Sequence, residues 1–202
     1  MTARYRIIEC EQGSPEWFEA RRGIPTASRY GDVLAQGQGK TREKYLNQLA
    51  FEDLTGKLMK AYTNENMERG KAVEADLRAK YAYDIDDNVE TISFLRSTLL
   101  KTGCSPDGLI GAHGVVEIKS TEDHLQVGIL KTGIIPSEHT PQIQGILWLT
   151  GRKWCDLVYG HPDLPLYIRR IERDEGYMAN LRNELTRFIQ DLDTTVEKLR
   201  NP

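Results

Sequence analysis

The chain has 202 residues, 39% of them hydrophobic and 28% charged, with a formal net charge of −3, the composition of an ordinary globular protein long enough to bury a substantial core. No apolar run approaches a membrane span, so no membrane association is expected. Cys10, Cys104 and Cys155 are widely spaced, with no CxxC pair. That argues against a disulfide framework and against a zinc or iron–sulfur cluster, and reduced, buried thiols are expected.

From the N-terminus, MTARYRIIECEQG lacks the apolar stretch of a secretory signal, which makes cytoplasmic residence the expectation. Between Arg21 and Lys80 twelve basic residues stand against eight acidic ones, a local excess of +4 that leaves −7 on the rest. Such an asymmetry suits a phosphate-tracking surface, and equally a solvated helix face. Tyr45, Leu46, Leu49, Ala50, Asp53 and Leu54 form a helical stripe stopped by Gly56. A second helix is expected over about 66–83, with Gly70, Glu74, Leu77 and Tyr81 along one stripe. Glu74 then lies at the edge of the apolar face, with bare space beside Gly70 for a metal ion or a phosphate. An i,i+4 ion pair with Arg78 is the competing reading.

Leu109-Ile110 and Val115-Val116, bounded by Gly108, Gly111 and Gly114, read as the strands of a hairpin. Asp107 then faces Glu117 across it. Side chains alternate along a strand, so Glu117 and Lys119 share one face while Val116 and Ile118 enter a core on the other. Two such carboxylates offer the hard oxygen ligands that Mg²⁺ or Mn²⁺ prefers. A lysine beside them can serve a hydrolytic water and offset charge on a phosphorus under attack.

Thr140 as N-cap and Pro141 at the first helical position open a helix that ends at Gly151, with Ile143, Ile146, Leu147 and Leu149 as core and Gln142 in its first turn. Strands at 154–159 and 166–171 follow. A final amphipathic helix uses Met178, Leu181, Leu185, Phe188, Leu192, Val196 and Leu199. With no repeat or dividing linker, residues 1–202 read as one α/β domain, a mixed central sheet flanked by helices.

Several ordered blocks carry a resemblance. They are Trp17…Arg21…Gly23…Thr26-Ala27-Ser28, Gly70-Lys71…Glu74-Ala75-Asp76…Arg78, Cys104-Ser105-Pro106-Asp107-Gly108, Glu117-Ile118-Lys119, Gln142-Ile143-Gln144…Trp148 and Ile171-Glu172-Arg173-Asp174…Tyr177-Met178. Pro106-Asp107 with Glu117-Ile118-Lys119 looks like the PD-(D/E)xK nuclease motif. The set resembles the phage lambda exonuclease, or YqaJ-type viral recombinase, group of alkaline exonucleases.

The resemblance implies a restriction-endonuclease-like core and a Mg²⁺-dependent exonuclease, with two metals per site and Mn²⁺ able to substitute. Such an enzyme digests the 5′ strand of double-stranded DNA, leaving 3′ overhangs for phage-type recombination. A ring-shaped homotrimer and a single-strand annealing protein as partner are implied with it. Carried over by residue, Asp107, Glu117 and the Ile118 carbonyl bind metal with Glu74 completing the cluster. Lys119 and Gln142 serve the water, and Arg21, Ser28 and Ser105 hold the 5′-phosphate. Thr26 as a helix N-cap would place Ser28 in a first turn whose free amides favour an anion. Two departures from the family pattern stand out: Leu95-Arg96-Ser97 replaces an expected acidic residue, and His139 replaces an aromatic hydroxyl. A restriction or repair endonuclease on the same fold, and a catalytically silent DNA-binding subunit, are the alternative readings.

Overall fold

The computed structural model describes residues 4–35, 40–57 and 65–201, the side chains of 65–72 excepted. The expected space beside Gly70 lies outside the described side chains. In chain order the elements are β1 (Tyr5–Ile8), α1 (Pro15–Arg21), α2 (Tyr30–Leu34), α3 (Thr41–Thr55), α4 (Glu65–Ile85), β2 (Val89–Glu90), β3 (Phe94–Ser97) and β4 (Gly103–Cys104). Then come β5 (Gly108–Ile110), β6 (Gly114–Ser120), α5 (Asp123–Thr132), α6 (Thr140–Thr150), β7 (Trp154–Gly160), β8 (Tyr167–Glu172) and α7 (Glu175–Arg200). The strands form a five-stranded sheet, β2-β5-β6-β7-β8, and a three-stranded sheet, β1-β3-β4. Only β6 and β7 pair in parallel in the larger sheet, so it is mixed, as expected. The smaller sheet was not foreseen.

The hairpin has the expected register. Gly108 lies opposite Val116 and Leu109 opposite Val115, so the next step of the ladder sets Asp107 opposite Glu117. Gly108 is required here: a Cβ would fall 2.3 Å from Val89 Cγ1. Val116 and Ile118 pack with Leu77 and Tyr81 of α4, Ile110 and Val158 in a small core. Val115, Cys155, Leu157 and Tyr159, on the opposite face, join α2, α3, α6 and α7 in the larger one. Glu117 and Lys119 therefore leave the sheet on the crowded side, and Glu117 is only 3% exposed.

Helix α4 is pinned to the sheet by a buried polar contact. Tyr81 Oη donates to Asp156 Oδ2 at 2.7 Å, while Arg170 donates from Nε and Nη2 to both Asp156 oxygens and stacks on Trp154. Because Tyr81 is two turns beyond Glu74 on the same stripe, this contact also sets where Glu74 emerges.

Some local expectations are corrected. Thr140 is the first residue of α6, capped by His139 without a side-chain bond. In α3 the buried acid is Glu52, which accepts the Gly23 N–H, whereas Asp53 pairs with Lys101 and Arg200. Leu199 is exposed at the end of α7, and Ile189 takes a place in its buried stripe. All three cysteines are free, but Cys10 is only half-buried.

Candidate active site

Residues from six segments line one cavity of about 260 Å³: Trp17 and Arg21 of α1, Ser28, Glu74 of α4, Ser105 and Asp107 between β4 and β5, Glu117, Ile118 and Lys119 of β6, and Gln142 of α6. Every candidate residue read from the sequence is in this wall. Asp107 Oδ2 accepts the Ile118 backbone N–H at 2.6 Å, tying the carboxylate just before β5 to the backbone of β6. Lys119 Nζ donates to Glu117 Oε1 at 2.8 Å and to Gln142 Oε1 at 3.1 Å, and Gln142 Nε2 donates to the same Glu117 oxygen. Glu117 Oε2 is buried without a hydrogen-bond partner among the described residues.

The electrostatics follow from that crowding. Burial, then Glu117 and Glu74, push the Asp107 carboxyl well above the usual range, and burial raises Glu117 against the pull of Lys119. Burial alone would lower the Lys119 ammonium, but Glu117, Asp107 and Glu74 outweigh it and hold it above its ordinary value. A buried carboxylate with an orphaned oxygen, next to a second carboxylate short of countercharge, is a donor set matched to a hard divalent cation. Among the described residues no three His, Cys, Asp or Glu side chains gather into a cluster able to hold a metal. Glu74 instead turns to Arg78, whose Nη2 donates to Glu74 Oε1 at 2.6 Å. The ion pair weighed against a metal role is thus present, while Glu74 still borders the cavity.

The same wall also carries a buried cation, Arg21, with Ser28 and Ser105. Burial pushes the Arg21 guanidinium down to about 10. Among the described residues it has no carboxylate within ion-pair distance; its Nη2 donates to Thr26 Oγ1 at 3.3 Å, and Thr26 Oγ1 lies 3.5 Å from Ser28 Oγ. Trp17 organises two of these groups. The Arg21 guanidinium sits 3.9 Å from the Trp17 ring centroid, and Trp17 Nε1 donates to Ser105 Oγ at 3.0 Å. The role of Trp17 was missed from sequence, although its i,i+4 spacing from Arg21 was visible. The helix-dipole expectation for Ser28 is corrected. Thr26 caps only a single 3-10 turn, Ala27–Arg29, without a side-chain bond, so the serine's hydroxyl and not a macrodipole is what the site offers. His139 half-buries beside Lys119, its pKa lowered by burial and then by that lysine, with its ring 6.0 Å from that of Tyr159.

Residues 16–153 match the YqaJ-like viral recombinase domain. The chain is similar to an alkaline exonuclease, LHK-Exo, from Laribacter hongkongensis: 33% identity, 93% of this chain and 96% of that one, TM-score 0.84. The same enzyme in complex with dAMP aligns at 34% identity over the same shares, with TM-score 0.84. A phage-related exonuclease from Haemophilus somnus 129PT, at 12% identity, 87% of this chain, 96% of that one and TM-score 0.68, shares the fold. No curated protein sequence matches the chain.

Proposed function

The chain belongs to the YqaJ-like viral recombinase family of alkaline exonucleases, with a PD-(D/E)xK-type fold, and from that membership and the geometry of the cavity we propose that it is a metal-dependent 5′→3′ exonuclease acting on double-stranded DNA ends. The observation that carries the reading is the buried Asp107–Glu117 pair with an unpartnered Glu117 Oε2 beside the Lys119 ammonium. Asp107, Glu117 and the Ile118 carbonyl hold the cation, Mg²⁺ or in its place Mn²⁺, with Glu74 as a further ligand. When bound, the cation or pair of cations supplies Lewis-acid polarisation of the scissile phosphate and lowers the pKa of a water.

The protein's own groups do the rest. Lys119, fixed by Glu117 and Gln142, faces the water's approach and offsets charge developing on the phosphorus. Gln142 uses its amide to orient that water. Arg21, Ser28 and Ser105 take the terminal 5′-phosphate, the guanidinium gaining in that ligand an ion-pair partner that it lacks among the described residues. The same cavity wall carries both the anion seat and the carboxylates, as removal of one terminal nucleotide at a time requires. The relative LHK-Exo was crystallised with dAMP, a ligand of the size such a step would release.

One nuclease domain over residues 1–202, a homotrimer enclosing the duplex, 3′ overhangs as product and a single-strand annealing protein that loads onto them complete the reading. They rest on family membership. Incubation of linear and covalently closed circular duplexes with Mg²⁺ tests it: the linear form should be digested and the closed circle left intact. Cutting of the circle would favour an endonuclease, and no metal-dependent nucleotide release from either would leave a DNA-binding subunit.

A further inference from the structure

Glu74 stands between two cavities. It borders the catalytic one, and it also borders a second cavity of about 350 Å³ whose wall includes Arg78, Thr91, Ser93 and Pro106, with Asp107 common to both. Arg78 lies one turn further along α4, and the two side chains are 22% and 24% exposed. The pairing uses a single nitrogen of the guanidinium. Arg78 Nε is buried with no hydrogen-bond partner among the described residues. A forked, two-bond contact is the strong form of an arginine–carboxylate pair, so this one is held by half its capacity. Around it three carboxylates, Glu74, Asp107 and Glu117, are close enough to disturb one another, with Lys119 already committed to Glu117.

We propose that Arg78 is the built-in counter-ion of Glu74, occupying the carboxylate until a divalent cation displaces it, and that it thereby sets the metal affinity of the DNA-free enzyme. The inference rests on the metal-centre reading above. A cation that recruits Glu74 either breaks the Arg78 bond to Oε1 or takes the other carboxylate oxygen beside a fixed positive charge, and either cost lowers its affinity. The released guanidinium stays on the wall of the second cavity. A merely structural i,i+4 pair acts in the opposite sense, since an arginine that only orients Glu74 helps the cation bind.

Calorimetric titration with Mn²⁺ of the DNA-free wild type, Arg78→Gln, Arg78→Lys, Glu74→Gln and the Glu74→Gln/Arg78→Gln double variant separates the two. Metal-free melting curves would establish that each is folded. Arg78→Gln should bind Mn²⁺ on the order of fivefold tighter than wild type, the equivalent of one partly exposed ion pair. Arg78→Lys should fall between, and the tightening should largely vanish in the Glu74→Gln background. Unchanged or weaker binding by Arg78→Gln, with wild type binding normally, overturns the proposal and leaves the metal centre standing. A wild type that binds no Mn²⁺ overturns both.

Discussion

Asp107 and Ile118 are joined across the β5–β6 hairpin: the Asp107 carboxylate accepts the Ile118 N–H at 2.6 Å, so a side chain from the loop before β5 is held by the backbone of β6 beside Glu117. The hydrogen bond fixes Asp107 in place but only partly offsets its burial and the nearby Glu117 and Glu74 charges.

The first prediction concerns pH. A carboxyl whose folded pKa is raised binds its proton more tightly when folded, so its contribution is present below the unfolded value, about 3.9 for Asp, and is lost as pH rises through the raised one. Asp107→Asn keeps an acceptor for Ile118 and removes the charge. In metal-free protein the melting temperature of the variant, relative to wild type, should therefore climb as pH rises above about 4. Mg²⁺ should narrow the gap at pH 8. Thermal melts at several pH values with and without EDTA check it, and a difference independent of pH would contradict it.

Glu117→Ala should abolish cleavage while the protein remains folded. Its carboxylate is buried with Oε2 unpartnered among the described residues, so the substitution deletes a ligand and relieves that oxygen, while Lys119 and Gln142 lose their bonds to Oε1. Cleavage of linear duplex near the wild-type rate would move the metal centre elsewhere.

Lys119→Ala separates chemistry from ligation. Loss of one preorganised electrostatic group costs about 2.7–4 kcal/mol in transition-state stabilisation, or roughly a hundred- to a thousandfold in rate. Mn²⁺ affinity should not fall, because the ammonium competes with the cation for Glu117. A variant that no longer binds Mn²⁺ would make Lys119 structural.

Arg21→Ala tests the anion seat. Wild type should degrade 5′-phosphorylated ends faster than 5′-hydroxyl ends, and the variant should lose that preference mainly by slowing on the phosphorylated substrate. Equal slowing on both would make Arg21 a general backbone contact.

The hairpin and its charges were legible because three glycines bracket two short β-prone runs and the alternation of side chains then fixes which residues meet. Gln142 followed from the Thr140-Pro141 helix start, despite the cap being one residue earlier. Helix α5 was not legible: Leu125, Val127 and Leu130 are exposed while Gln126 and Ile129 are buried, so no apolar stripe marks its inner face. Strands β3 and β4 hide for another reason: β3 pairs with the distant β1, and β4, which pairs with β3, is only two residues long. Trp17 stood only among the blocks that carry the resemblance, because its bond to Ser105 spans 88 positions of sequence. What Glu74 does in the absence of a cation turned on geometry, since both a metal role and an Arg78 pair fit its spacing.

The most direct measurement is a time course on linear duplex DNA carrying a label at the 5′ or the 3′ end of one strand, with Mg²⁺ and with EDTA. With Mg²⁺ and a 5′-phosphate, the 5′-terminal label should leave first, as a mononucleotide, while the 3′ label stays in a shortening strand; EDTA should stop both. Earlier release of the 3′ label, or undiminished digestion in EDTA, would contradict a metal-dependent enzyme that starts from the 5′ end.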